Sequence, residues 1–142
     1  MTEIPLILLN LQNEGFHLLV DIIVFGKSFR AVLDTGASKT VFDKTTVENH
    51  IDPDLLKLSD QLSTGLGTNT MESYTLSIPD FQIGELHLKN YEVAALDLST
   101  INIAYQQLEM EPVLGVVGGD LLHEYGAIID YKKNALRLDL PD

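Results

Sequence analysis

The sequence predicts an all-β domain, a closed or rolled β barrel that carries one or two short helices. Many short apolar segments of strand length follow one another, and turn signals rich in glycine, asparagine and aspartate separate them. Apolar residues make up 45% of the 142 residues, which is enough for one domain with a sizeable core. We therefore expect a single domain over residues 1–142, without tandem repeats or an interdomain linker.

The first part of the chain predicts strands joined by tight turns. An N-terminal strand or extension occupies residues 1–15, and Pro5 favours an edge position for it. A hairpin turn at Gly26 joins the next two strands. Asp43 is predicted to cap a short helix over residues 44–49. The predicted strands here are 4–11, 16–25 and 28–33.

The second part continues the β pattern after a glycine-rich stretch at residues 62–69. An apolar strand interrupted by glycines covers 113–120, and a short helix is expected over 120–125. Residues 98–112 form an insertion of uncertain structure, since 101–110 fits a helix or a loop. The remaining predicted strands are 74–78, 81–83, 86–88, 91–96, 127–131 and 135–140.

Charge and cysteine content exclude several functions. The chain carries 9 Lys and Arg against 21 Asp and Glu, for a net charge of −12. Nucleic acids and anionic membranes are bound by basic patches, so we expect neither as a partner. The chain has no cysteine, which excludes disulfides, Cys-ligated zinc and thiol catalysis. The N-terminal apolar run lacks the basic region and cleavage site of a signal peptide, and we expect a cytoplasmic protein.

One acidic residue stands where a buried strand must end. The apolar residues 31–33 run directly into Asp34, and Thr35 and Gly36 follow it. We expect Gly36 to take a backbone conformation that is closed to residues with a Cβ atom. A carboxylate fixed at a strand end beside a hydroxyl is a plausible catalytic group. The same tripeptide is also typical of an ordinary Asx-type turn.

Three segments together resemble the retropepsin-like aspartic proteases. Residues 34–38, Asp-Thr-Gly-Ala-Ser, resemble the active-site loop of that family. Residues 65–67 occupy the place of its mobile flap. Residues 115–122, followed by 127–131, resemble its segment of two hydrophobic residues and a glycine, its short C-terminal helix and its closing strand. The resemblance covers residues 16–138 and implies a retropepsin-like closed β barrel that acts as a homodimer.

The resemblance implies an aspartic endopeptidase in which Asp34 is the catalytic carboxylate. Two carboxylates that share one proton can activate a water and polarise a peptide carbonyl together. The chain supplies one Asp-Thr-Gly, so the second carboxylate must come from a second copy across a two-fold axis. No cofactor is implied. The four histidines are scattered, and no metal site is predicted.

The resemblance also assigns supporting roles. Thr35 would hydrogen-bond across the dimer axis, Gly36 would permit the turn, and Ala37 is the small residue that follows. Ser38 is a possible hydrogen-bond donor to the outer oxygen of Asp34, or a plain turn residue. A flap would close over an extended peptide, and a supporting loop would pack beneath Asp34. The flap residues are Gly65, Leu66, Gly67, Thr68 and Asn69, and the supporting-loop residues are Val117 and Gly118.

Two other functions fit the same sequence. The chain could be a non-catalytic retropepsin-like dimer that binds a peptide or a protein. It could also be a monomeric β barrel in which Asp34 belongs to a turn without chemistry.

Overall fold

The computed structural model describes residues 1–11, 15–58 and 73–141. These ranges contain eleven β-strands and three short α-helices, so the all-β class is confirmed with one helix more than expected. The described residues also contain one short 3₁₀ helix, Pro53–Leu55. The elements are β1 (Thr2–Pro5), β2 (Ile7–Asn10), β3 (Phe16–Val24), β4 (Lys27–Leu33), β5 (Val41–Asp43), α1 (Lys44–Glu48), β6 (Lys57–Leu58), β7 (Tyr74–Ile83), β8 (Leu86–Leu96), α2 (Ser99–Gln107), β9 (Gly115–Val117), α3 (Gly119–Glu124), β10 (Ile128–Asp130) and β11 (Ala135–Leu138).

Six strands close the barrel in the order β3-β4-β9-β5-β8-β7, with β7 pairing back onto β3. β9 runs parallel to β4 and antiparallel to β5, so it lies between the two strands that flank the Asp34 loop. Alternate residues of these strands face the barrel core, where Phe42 and Phe81 are fully buried. The loop that follows Leu33, where β4 ends, therefore starts from a strand paired with β9.

The predicted N-terminal strand is two strands that belong to different sheets. β1 pairs with β11, with Thr2 opposite Leu138, and β2 pairs with β3. The strand is interrupted after Pro5, where the Leu6 N–H donates to the Asn134 carbonyl. The first and last strands therefore pair within one chain. With β10 they form a three-stranded sheet, and among the described strands β10 lies at one edge of it.

The uncertain segment 98–112 contains helix α2. Tyr105 of α2 is buried against a second apolar cluster on the outer face of β3, β4 and β9, away from the main core. The buried members of this cluster are Leu11, Leu19, Val32, Tyr105, Val113 and Val116. The segment is therefore a covering layer over the strand pair that ends at Asp34. Among the described helices, none has the length and apolar character needed to span a membrane.

Candidate active site

The Asp34 loop is fixed by the parallel pairing of β4 and β9. Leu33 lies opposite Val117, and one residue further the Asp34 N–H donates to the Val117 carbonyl at 3.0 Å. The Gly36 N–H donates to Asp34 Oδ1 at 2.9 Å, and the Ala37 N–H donates to the Asp34 carbonyl at 3.2 Å. The Asp34 side chain itself is exposed. A carboxylate is thus held in place by its own turn while it faces outward.

Gly36 does not have a left-handed backbone, and a side chain there would stand close to the Asp34 carboxylate. Its φ lies outside the positive range found at the chain's other turn glycines, so our conformational reason does not apply here. A Cβ atom at Gly36 would lie 3.3 Å from Asp34 Oδ1, against the oxygen that Gly36 itself binds. Glycine therefore lets the peptide N–H approach the carboxylate closely.

The segment after β9 packs directly against the loop. The Gly119 N–H donates to the Ala37 carbonyl at 2.6 Å, and the Gly118 N–H donates to Thr40 Oγ1 at 3.1 Å. A Cβ atom on Gly118 would stand 2.6 Å from the Lys39 carbonyl, so no side chain fits there. Val117 thus contacts the backbone of Asp34 itself, whereas Gly118 contacts Thr40 and Lys39 further along the chain.

A buried network, which sequence reasoning missed, ties this segment to the barrel. Thr40 is fully buried, and its hydroxyl donates to Asp120 Oδ1 at 2.9 Å while it accepts from Gly118. The Tyr91 hydroxyl donates to Asp120 Oδ2 at 3.4 Å. Burial, with the Asp120 charge next, raises the pKa of Tyr91 well above its ordinary value, so Tyr91 stays protonated as a donor. The network joins β8, α3 and the residue just before β5 at one point.

The other predicted loop residues differ in what they contact. Ser38 is exposed, and in the described ranges the Asp34 carboxylate accepts a hydrogen bond from Gly36 and none from Ser38. Thr35 is exposed as well, next to Asp34 on the outward side. The predicted flap residues, 65–69, lie outside the described residues.

Two cavities flank the Asp34 loop. The first measures about 320 Å³, and Asp34 and Thr35 line it together with residues of β3, β4, α2 and β9 and of β10 and the turn after it. The second measures about 280 Å³ and is lined by Thr35, by α3 and by β10. Thr35 and Ile129 belong to both cavities. The lining of the first cavity is Phe16, His17, Leu18, Val32, Leu33, Asp34, Thr35, Ile101, Val116, Ile129 and Tyr131.

Exposed apolar side chains lie around the first cavity and on β10. Phe16 is 62% exposed and Tyr131 is 69% exposed, and both line the first cavity. Ile128, at the start of β10, is 46% exposed. Across residues 1–11, 15–58 and 73–141, no three His, Cys, Asp or Glu side chains are grouped to hold a metal ion. The polar side chains that line the first cavity are the Asp34 carboxylate, the Thr35 hydroxyl, the His17 imidazole and the Tyr131 hydroxyl.

A closed β barrel with an exposed, hydrogen-bonded Asp-Thr-Gly carboxylate at a strand end defines a domain of the retropepsin-like aspartic protease type. The sequence comparison agrees, since the aspartyl protease family model matches residues 20–121. The chain belongs to the aspartyl protease family. Among curated protein sequences, none matches this chain.

Solved structures share the fold at low sequence identity. The retroviral protease-like domain of Ddi1 from Leishmania major is 18% identical, with a TM-score of 0.61 over 87% of this chain and 88% of that one. A retropepsin-like aspartic protease from Rickettsia conorii is 21% identical, with a TM-score of 0.58 over 99% and 93%. EIAV protease in complex with the inhibitor HBY-793 is 18% identical, with a TM-score of 0.60 over 84% and 97%. The retropepsin-like fold expected from the sequence is confirmed.

Proposed function

We propose that the protein is an aspartic endopeptidase that hydrolyses peptide bonds between two Asp34 carboxylates, one from each subunit of a homodimer. The observation that carries the proposal is the Asp34 side chain, which is exposed although its loop is fixed by three hydrogen bonds. One of these bonds comes from Val117 of β9, and the family of the chain provides the reaction class.

The reaction needs both carboxylates of the pair. Two carboxyl groups at hydrogen-bonding distance cannot both ionise readily, because their negative charges repel each other. The pair therefore holds one proton. The ionised carboxylate takes a proton from a water, and the water oxygen attacks the peptide carbonyl carbon. The protonated carboxylate donates to the carbonyl oxygen. Collapse of the resulting diol breaks the C–N bond, and the amine leaves with a proton returned by the pair.

A second copy of the chain is the natural source of the second carboxylate. β10 pairs with β11 on one side, and its apolar Ile128 and the following Tyr131 stand exposed. An open apolar strand edge favours pairing with another chain. Ile129 of β10 and Thr35 line the same two cavities, so this edge lies beside the Asp34 loop. A two-fold axis near β10 would bring the two loops together, with Thr35 in reach of its counterpart.

Cleavage of a mixed peptide library, from acidic to neutral pH, tests the proposed activity. We expect the wild type to cleave and Asp34→Asn to lose about 10²–10⁴-fold or more of the rate, since its amide can neither accept nor return the proton. The amide oxygen can still accept from the Gly36 N–H, so the fold should survive. Asp54→Asn, at another exposed carboxylate, is the matched control.

Equal cleavage by the wild type and Asp34→Asn would remove Asp34 from the mechanism. Peptide binding by both proteins without cleavage by either would favour a non-catalytic binding dimer. Sedimentation at several concentrations tests the assembly, and a strict monomer that remains active would contradict a pair shared between subunits.

A further inference from the structure

Helix α2 forms one wall of the cavity that contains Asp34. Ile101, in the first turn of α2, lines this cavity with Val32 and Val116 of the two strands beneath it. The same three side chains pack together in the outer apolar cluster. The Asp34 carboxylate and an apolar wall thus border one space of about 320 Å³.

Hydrogen bonds hold the N-terminal half of α2 in place. At its start, the Leu98 N–H donates to Oδ1 of the buried Asp43 at 3.0 Å. The Asn102 side chain bonds the Val113 backbone twice, donating to the carbonyl at 3.2 Å and accepting from the N–H at 2.8 Å. These contacts tie the N-terminal half of α2 to β5 and to the segment that precedes β9.

A third contact closes the wall on the β3 side. The Tyr105 hydroxyl and His17 Nδ1 are 2.6 Å apart, and their rings lie 5.9 Å apart between centroids. Burial raises the pKa of Tyr105 to about 12, so this hydroxyl stays neutral at ordinary pH. His17 also lines the cavity, and its Nδ1 is occupied by Tyr105.

We propose that Ile101 sets the size of the apolar side chain that a peptide substrate can place beside Asp34. This inference rests on the proposed endopeptidase function. The lining of the cavity away from Asp34 and Thr35 is mainly aliphatic and aromatic, which suits an apolar side chain. A side chain seated against Ile101 leaves its own backbone at the Asp34 end of the cavity, where the bond to be broken must lie.

The test uses peptides that differ in one residue at the cleaved bond, with valine, leucine, phenylalanine or tryptophan there. Each sequence is also made with a reduced amide at that bond, so that binding is measured by calorimetry without cleavage. Ile101→Ala enlarges the cavity and should shift preference towards phenylalanine and tryptophan by about tenfold or more. Ile101→Phe should shift it towards valine. Ile103→Ala, on an exposed residue of the same helix, is the matched control and should change nothing.

The two readouts separate this inference from the proposed function. If peptide binding preference changes with residue 101 but the wild type cleaves no peptide, the role of Ile101 is supported and the proposed endopeptidase function is overturned. If all variants cleave with the same preference, the role of Ile101 is overturned and the proposed endopeptidase function is retained. If the wild type binds no peptide of the series, the role of Ile101 is overturned as well. A change in dimer dissociation without a change in preference would show that the cavity takes a residue of the second subunit.

Discussion

Replacing Thr40 with valine removes the hydroxyl that joins the chain just before β5 to the segment after β9, at nearly unchanged volume. The hydrogen bond to the Asp120 carboxylate, 2.9 Å long, is worth about 1.5–3 kcal/mol, and leaving the buried Gly118 N–H unpaired costs about 1–3 kcal/mol. Asp120 is half-buried and still accepts from the Tyr91 hydroxyl in the variant, so the expected loss of stability is smaller than the sum of these two contributions. We expect the free energy of unfolding to fall by about 3 kcal/mol.

Urea unfolding of Thr40→Val beside the wild type, at one protein concentration, measures this loss. The concentration is held fixed because subunit association would contribute to the apparent stability. Thr40→Ser keeps the hydroxyl and is the control, which should retain most of the stability. A loss below about 0.5 kcal/mol in Thr40→Val would refute the role of this network. Equal losses in Thr40→Val and Thr40→Ser would place the effect in packing and not in hydrogen bonding.

Three further predictions address separate parts of the structure. Gly115→Ala would place a Cβ atom 1.9 Å from the Val41 carbonyl, so we expect a loss of about 3 kcal/mol or more in urea unfolding, and wild-type stability would contradict it. Folding favours the neutral hydroxyl of Tyr105, because its pKa is about 12 in the folded protein and about 10 in the unfolded chain. The free energy of unfolding should therefore be insensitive to this group below pH 10 and fall between about pH 10 and 12, less steeply in Tyr105→Phe; identical pH profiles would contradict this. Ile128→Lys should weaken association of the proposed dimer about tenfold or more in sedimentation while the barrel stays folded, and unchanged association would contradict a role for β10 in the interface.

Local patterns predicted the parts of the molecule whose cause is local. The apolar run before Asp34 ends where the buried strand ends, and Asp43 accepts from the Thr46 N–H as the predicted cap of α1. The strand boundaries near Gly26 and Gly84 follow from turn residues in the same way. In each case the residues that decide the structure lie within a few positions of one another.

What the sequence did not predict depends on partners far along the chain. Thr40 and Asp120 are 80 positions apart, and Asp43 binds the backbone of Leu98 across 55 positions, so no local pattern indicates either contact. Helix α2 was ambiguous because its buried ring, Tyr105, packs on the outer face of a sheet and contacts His17 of β3. The N-terminal strand divides because β11, at the other end of the chain, pairs with its first half.

Mixing wild type with Asp34→Asn tests the shared pair of carboxylates most directly. Both proteins are combined in equal amounts at fixed total concentration and left until subunits exchange, and peptide cleavage is then measured. If each active site needs an Asp34 from both subunits, only wild-type pairs cleave, and activity falls to about one quarter of the wild-type value. Activity of about one half would show that each chain cleaves with its own Asp34 alone, and would contradict the two-fold mechanism.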